Sequence, residues 1–240
     1  MAGQDGIVYL LTNESMPNFV RLDFTQKDDV AERVQRLNKG SVPMPFSLYF
    51  AARVPDCLQL ERTLHLIFGE RRMPRNREFF KINPDLLRAV IELAATDRVE
   101  LSDKELAITS DDRLAMNQMA KRQDALEFRA IGLEPSTVLG FAMDKSIFCT
   151  VNQNGKVTFD GREMSPADAA LEAVRSIGFT WNKVSSGRNY WLKRGDMYSD
   201  ELAAGSTKIR ENVAEQLNLD PQDDDSPVLV IRRREPANSR

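Results

Sequence analysis

Strand-length and helix-length apolar patterns alternate along the first 95 residues of this 240-residue chain. Residues 6–11 and 19–24 flank a turn around Pro17, which predicts a β-hairpin. Val30, Val34 and Leu37 recur at i, i+4 and i+7, the spacing of a helix that buries one face. Further elements are predicted as a strand over 45–54, a helix over 56–68, a short strand over 78–82 and a helix over 84–95. The N-terminal part is therefore expected to be a small mixed sheet flanked by helices.

The pattern changes over residues 96–131, where charged residues dominate and aromatic residues are few. A helical stretch over 114–128 predicts a linker with one helix, and a helical arm that contacts a partner is the alternative. A second unit begins at residue 132, with Asn154-Gly155 indicating a hairpin and Ser165-Pro166 opening a helix. The predicted fold class is two-domain α/β (α+β). Its boundaries are 1–95, a linker over 96–131, a small α+β domain over 132–205, and a C-terminal helix and mobile tail over 206–240.

Composition excludes several classes of protein. With 42% hydrophobic and 29% charged residues, the chain is typical of a soluble globular protein. It has no apolar run near the roughly 20 residues of a membrane helix and no secretory pattern, so a cytoplasmic protein without a membrane partner is expected. Cys57 and Cys149 cannot form a disulfide framework or a CxxC zinc site. The single histidine excludes two-histidine metal motifs, and the net charge of −3 argues against coating nucleic acid by bulk charge.

Two polar residues lie along the edge of the apolar stripe of the second predicted helix. Glu61 and His65 are four residues apart, so their side chains stack on one face. A carboxylate at the border of a core suits a metal ligand. The alternative is that Glu61 is an edge residue whose side chain reaches water. The single His65 is either a packing residue or a catalyst.

Basic residues suggest phosphate binding at two places. Arg33 lies at the edge of the first helix's apolar stripe, where it could hold a phosphate or pair with Asp29 one turn earlier. Tyr9 lies within an apolar strand, where a tyrosine is usually a core residue with its hydroxyl satisfied. Four arginines follow the second helix and form either a phosphate-binding patch or a solvated loop: Arg71, Arg72, Arg75 and Arg77.

The order of these residues along the chain is itself informative. Residues 6–13 read GIVYLLTN, residues 16–23 read MPNFVRLD, and residues 31–38 read AERVQRLN. This succession resembles the GIY strand, the YIG strand and the arginine helix of the GIY-YIG nuclease superfamily. Segments 42–46, 60–65 and 77–80 are similar to a branch found in phage and bacterial proteins. The resemblance covers roughly residues 6–82.

The resemblance implies a metal-dependent DNA endonuclease in restriction or phage defence, with DNA as partner and a homodimer as an open alternative. Tyr9 would activate the attacking water or accept its proton, and Arg33 would stabilise the phosphate. Glu61 would bind one Mg²⁺ or Mn²⁺, which polarises the phosphate. His65 would assist proton transfer or position a phosphate, and Arg21 stands where many relatives carry a basic residue.

The chain departs from the family pattern at the YIG strand. Asp23 occupies the glycine position and introduces an anion beside a phosphate site, and Phe24 stands where lysine is frequent. A catalytically degenerate protein that binds DNA without cleaving it is therefore the alternative. A protein-interaction adaptor without DNA affinity is a third hypothesis.

A second resemblance covers residues 131–202. Segments 157–161, 165–170, 177–182 and 190–192 resemble a small domain attached to restriction enzymes and adenine methylases. This resemblance implies recognition of DNA, modified DNA included. Trp181, Tyr190 and Trp191 would then stack on a base or line a pocket, and the alternative is that they fill a small core.

Overall fold

The computed structural model describes residues 4–40, 42–73, 78–130 and 133–193, without the side chains of 124–130. These residues lie in one compact unit that spans residues 1–197. The described ranges contain two five-stranded sheets and five α-helices, which confirms the predicted α+β class. Every strand pairing in them is antiparallel, whereas a mixed first sheet was expected.

The first sheet has the order β4-β2-β1-β3-β5. Its strands are β1 (Gly6–Thr12), β2 (Val20–Thr25), β3 (Ser47–Val54), β4 (Phe79–Phe80) and β5 (Asp97–Arg98). The predicted hairpin over residues 6–25 is confirmed as β1 and β2. Strand β1 is central and its first six residues are buried, as expected of a strand covered on both faces.

Four helices cover this sheet: α1 (Val30–Asn38), α2 (Cys57–Ile67), α3 (Pro84–Ala94) and α4 (Ser110–Ala130). Successive residues of β1 point to opposite faces. Tyr9 packs in one core with Val34 of α1 and Met116 of α4. Leu10 packs in a second core with Leu64 of α2, together with residues of α3. Helices α1 and α4 therefore lie on one face of the sheet, and α2 and α3 lie on the other.

The segment over 96–131 contains the expected helix, but it is not a free linker. Residues 97–98 pair with β3, and Leu106, Ile108 and Met116 are buried in the core that contains Tyr9. Arg113 pairs with Asp103 and shapes the turn before α4. Val99 and Leu101 pack against the same core, so apolar residues hold this charged segment on the sheet, which corrects the interpretation of a free linker.

The second sheet has the order β10-β6-β7-β8-β9 and packs on α5 (Pro166–Ser176). Its strands are β6 (Val138–Phe141), β7 (Asp144–Val151), β8 (Val157–Phe159), β9 (Arg162–Met164) and β10 (Trp191–Lys193). The predicted hairpin is confirmed, with Gly155 at φ 77°, a conformation that favours glycine. Ser165 caps α5 by accepting the Asp168 amide at 3.1 Å. Residues 194–240, which include the predicted C-terminal helix and tail over 206–240, lie outside the described residues.

Polar contacts join the two sheets through α3. The Trp181 indole donates to Glu92 Oε2 at 2.6 Å, and Arg88 Nη1 donates to the Lys183 carbonyl at 3.3 Å. The Ser185 amide donates to Asp85 Oδ2 at 2.8 Å. Each sheet has its own core, and the junction between the two sheets is built from polar groups that have partners. The expected division into two domains stays a prediction.

Candidate active site

The Tyr9 hydroxyl is a buried polar group that makes no hydrogen bond of standard geometry to the described residues, and Arg33 is the polar side chain of α1 in its electrostatic surroundings. Tyr9 lies opposite Asp23 on β2 and opposite Ala51 on β3. Burial and then the Asp23 charge raise the pKa of the phenol well above its ordinary value, and the Arg33 charge acts in the opposite direction. Nearly all buried polar groups in proteins find partners. An orphan hydroxyl beside a cation therefore marks a place where a ligand or water completes the site.

Arg33 lies on α1 beside this hydroxyl. Its Nε is 3.0 Å from Asp29 Oδ1, and its Nη1 is 3.5 Å from the Phe24 carbonyl. The hydrogen bond from the Thr25 hydroxyl and the one from Arg33 hold the pKa of Asp29 below its usual range. The pairing of Arg33 with Asp29, which is one of the two alternatives from the sequence, is thus present. Because the Arg33 side chain is still 37% exposed, its guanidinium remains accessible to a ligand from solvent.

Asp23 faces the same side of the sheet as Tyr9, since directly paired residues of neighbouring strands share a face. Its side chain is only 14% exposed, and its Oδ2 accepts from Arg21 Nη2 at 3.1 Å. The position that departs from the family pattern therefore places a carboxylate in the site itself. Its charge opposes the binding of a phosphate near Tyr9.

Arg21 is held between two carboxylates at the sheet edge. It pairs with Asp23 and with Glu78, and its guanidinium lies 5.6 Å from the centre of the Phe79 ring. Burial and the Asp23 charge raise the pKa of Glu78, and Glu61 contributes in the same direction. Glu78 was missed as a site residue. Its position just before β4, which pairs with β2, is the signal that could have placed it beside Arg21.

Glu61 and His65 lie on α2, on the opposite face of the sheet from Tyr9. His65 Nε2 is 3.4 Å from Glu61 Oε1, and the His65 ring meets the Phe80 ring edge-on at 5.3 Å between centroids. Both side chains are half-buried. Glu61 acts electrostatically on the Tyr9 side of the site at the sheet edge, where its charge raises the pKa of Glu78.

His65 is expected to titrate below its ordinary pKa of 6.5. Burial and then the Arg72 charge lower the pKa of the imidazole, whereas Glu61 raises it. The unfolded chain therefore binds this proton more readily, and stability is lost as the pH falls through 6.5. The single imidazole can be followed by proton NMR, and Glu61→Gln is expected to move its midpoint further down. A midpoint at or above 6.5, or an upward move in Glu61→Gln, would contradict this arrangement.

The described residues offer one candidate carboxylate for a divalent cation, Glu61. Among the described residues, no group of three or more His, Cys, Asp or Glu side chains could hold a metal ion. Mg²⁺ commonly uses one or two carboxylates, several waters and substrate phosphates. Glu61 is such a carboxylate, 25% exposed at the edge of α2. A cation held by Glu61 would therefore need water and a phosphate substrate as its other ligands.

The basic patch is described only in part. Arg71 ends a short 3₁₀ helix, and Arg72 forms a bridge with Phe80; both side chains are exposed. The effect of Arg72 on the pKa of His65 places its charge beside α2. Arg75 and Arg77 lie outside the described residues.

The three aromatic residues assigned to base stacking lie in the core of the second sheet. Trp181, Tyr190 and Trp191 are between 2% and 4% exposed. The Trp191 indole donates to the Pro166 carbonyl at 2.9 Å, and the Tyr190 ring stacks on Phe141 at 6.0 Å. These rings cover α5, and none offers a face to a base. The core-filling alternative is therefore the correct interpretation.

Phe148 on β7 is the exposed aromatic residue that the sequence reasoning missed. Its side chain is 63% exposed, and with Phe159 it borders a cavity of about 580 Å³. The inward positions Cys149 and Val151 alternate with it, and this alternation is the signal that predicts an outward Phe148.

Comparison with known proteins gives one match. Residues 6–95 match the model of the T5orf172 domain, which is less than half of the chain. No curated protein and no solved structure matches the chain. No helix within the described ranges is long and apolar enough to cross a membrane. The matched region includes Tyr9, Asp23, Arg33 and Glu61, and it is similar to a phage-associated domain connected with nuclease-like and DNA-binding functions.

Proposed function

We propose that residues 6–95 form a metal-dependent DNA endonuclease module that hydrolyses phosphodiester bonds. The observation that carries this proposal is the buried, unpartnered Tyr9 hydroxyl beside the accessible guanidinium of Arg33. The match to the T5orf172 domain supports it at the level of a nuclease-like or DNA-binding function.

The side chains on the Tyr9 face divide the work of hydrolysis. Tyr9 is protonated at neutral pH, as an ordinary phenol is, and burial and Asp23 raise its pKa further, so its hydroxyl would orient the attacking water. Asp23, on the same face, is a carboxylate that can take the proton of that water. Arg33 neutralises the charge that develops on the phosphate, which is the main requirement of phosphoryl transfer. Arg21, which is held by Asp23 and Glu78 on this face, and His65, which lies on the opposite face, would position phosphate groups at the sheet edge.

Glu61 is the residue that would hold Mg²⁺ or Mn²⁺. When bound, the cation polarises the phosphate and stabilises the leaving oxygen. The Glu61 side chain is 25% exposed, so a cation and the DNA phosphate that accompanies it could reach the carboxylate from solvent. His65 Nε2 lies 3.4 Å from Glu61 Oε1, beside this carboxylate.

A second candidate is a DNA-binding protein that does not cleave. The observation in its favour is the position of Asp23, which lies on the face of the proposed phosphate site. Asp23 and Glu78 also form ion pairs with Arg21, whose charge is then less available to a phosphate. Such a protein would bind DNA with a strong dependence on salt.

The second sheet supplies DNA recognition in this proposal, with Phe148 as the exposed ring available for stacking. The combined protein would act in the cytoplasm in restriction or defence against phage DNA. Arg71, Arg72, Arg75 and Arg77 would add phosphate contacts.

A plasmid-nicking assay tests the proposal. The wild type is expected to nick supercoiled DNA with Mg²⁺ or Mn²⁺, and EDTA should abolish the activity. Glu61→Gln should lower the rate about 100-fold or more, because a carboxylate that holds the metal is lost. Glu32→Gln makes the same chemical change at an exposed position of α1 and should leave the rate unchanged.

Equal nicking by wild type and Glu61→Gln, or nicking in EDTA, would refute the proposed chemistry. Salt-dependent DNA binding without nicking would select the second candidate. In that case Asp23→Gly, which removes the competing carboxylate, is the variant expected to gain cleavage.

A further inference from the structure

A cavity of about 240 Å³ lies between the edge of β3 and the segment that follows α5. The side chains that matter are Tyr49 and Phe50 from β3, Arg88 from α3, Arg98 from β5, and Asn182 and Lys183 from the second half of the chain. It is separate from the Tyr9 site and is built by both sheets. Its volume is below the roughly 300–1,000 Å³ of pockets for drug-sized ligands.

The charges that line this cavity are mainly positive. Arg88, Arg98 and Lys183 contribute three cations, and Glu100 is the carboxylate among the lining residues. Arg88 and Arg98 share one further carboxylate, Glu92, at 3.1 Å and 2.8 Å. The two arginines are therefore fixed in place by one carboxylate that they share.

Lys183 is the cation without an anionic partner. Its Nζ lies 3.5 Å from the Leu48 carbonyl and 4.5 Å from the centre of the Tyr49 ring. Among the described residues, no carboxylate lies within 4.0 Å of it. Asp85, the carboxylate of α3 that acts on Lys183 from further away, is engaged by Tyr49 and by the Ser185 amide.

The surroundings of the amine disfavour its charge. Although the residue keeps access to solvent, crowding by the two sheets and then the Arg88 and Arg113 charges lower the pKa of Lys183 to about 8. Asp85 and Glu14 act in the opposite direction and do not compensate. An anion beside the amine would restore its charge.

We propose that this cavity binds an oxyanion of the phosphate class, with the Lys183 ammonium as its direct ligand. The side-chain amide of Asn182 and the guanidinium groups of Arg88 and Arg98 supply further N–H donors to the oxygens of an oxyanion. The Tyr49 and Phe50 walls limit the space to a compact anion and exclude a large organic ligand. The anion is either free or a phosphate of the DNA backbone, which presents the same chemistry.

Calorimetric titration with inorganic phosphate, at constant ionic strength maintained with chloride, tests this site. The wild type is expected to bind phosphate saturably, and Lys183→Met to lose roughly tenfold or more in affinity. Lys104→Met, at an exposed position before α4, should bind as the wild type does. Thermal unfolding of each variant checks that it is folded, and Lys183→Arg should retain part of the affinity.

Sulfate supplies the pH arm of this test, because its charge does not change between pH 7 and 9. Its affinity is expected to be constant below pH 8 and to fall as the pH rises above the pKa of about 8 of the free amine. No saturable binding to the wild type, or equal binding by Lys183→Met, would overturn the proposal. Competition between phosphate and a short DNA duplex would identify the backbone as the source, and independent binding would identify a free oxyanion.

Discussion

Tyr9→Phe is expected to lower the rate of DNA cleavage by roughly 10²–10⁴-fold, the usual range for a group that positions or transfers a proton. The same change should leave the protein equally stable or more stable, by about 1 kcal/mol, because the hydroxyl is buried without a hydrogen-bond partner. A loss of activity with a gain in stability is typical of a site residue. Single-turnover cleavage and urea unfolding of the same preparation measure both effects.

Tyr49→Phe is the matched control, since it removes the hydroxyl of another buried tyrosine. The Tyr49 hydroxyl donates to the buried carboxylate of Asp85. Its removal should therefore destabilise the fold by about 1 kcal/mol, the net contribution of one hydrogen bond, since Asp85 keeps the Ser185 amide as a donor. A destabilised Tyr9→Phe, or one that cleaves DNA at the wild-type rate, would contradict the role given to Tyr9.

Arg88→Met is expected to destabilise the fold by about 3 kcal/mol, the lower end of the cost of breaking a buried ion pair. Arg88 is 1% exposed and pairs with Glu92, while its guanidinium lies 5.1 Å from the centre of the Phe50 ring and 4.8 Å from the Trp181 ring. Methionine keeps the apolar stem but loses these contacts. Glu92 retains the Trp181 indole as a donor, which limits the loss.

Urea unfolding is the measurement, and the midpoint of Arg88→Met should fall by about 1 M or more. Arg122→Met on the exposed surface of α4 is the control and should unfold with the wild type. If one sheet of Arg88→Met unfolds well before the other, the junction through α3 is the structural link between them. An unchanged midpoint would show that the junction contributes little.

Local chemistry predicts much of the fold because the relevant interactions are short in range. Asp56 caps α2 by accepting the Gln59 amide at 2.9 Å, and Asn83 caps α3 by accepting the Asp85 amide at the same distance. Gly155 supplies the turn of the second hairpin. These residues act on backbone groups a few positions away, so the sequence is sufficient to place them.

The errors arise where contacts are distant in sequence. Leu106 and Ile108 look like isolated apolar residues in a charged segment, and only the sheet shows that they have a core to enter. Trp181 reads as a surface aromatic until its indole meets Glu92, 89 residues earlier. The partnership of Glu78 with Arg21 likewise depends on the pairing of β4 with β2.

The most direct test of the proposed nuclease site is whether Tyr9 and Glu61 act together, although they lie on opposite faces of the sheet. Single-turnover cleavage should be measured for the wild type, Tyr9→Phe, Glu61→Gln and the double variant with Mg²⁺. The double variant is expected to be no slower than the slower single variant, because the effects of residues that serve one transition state are not additive. Losses that multiply in the double variant, or a wild type that does not cleave, would contradict the proposed site.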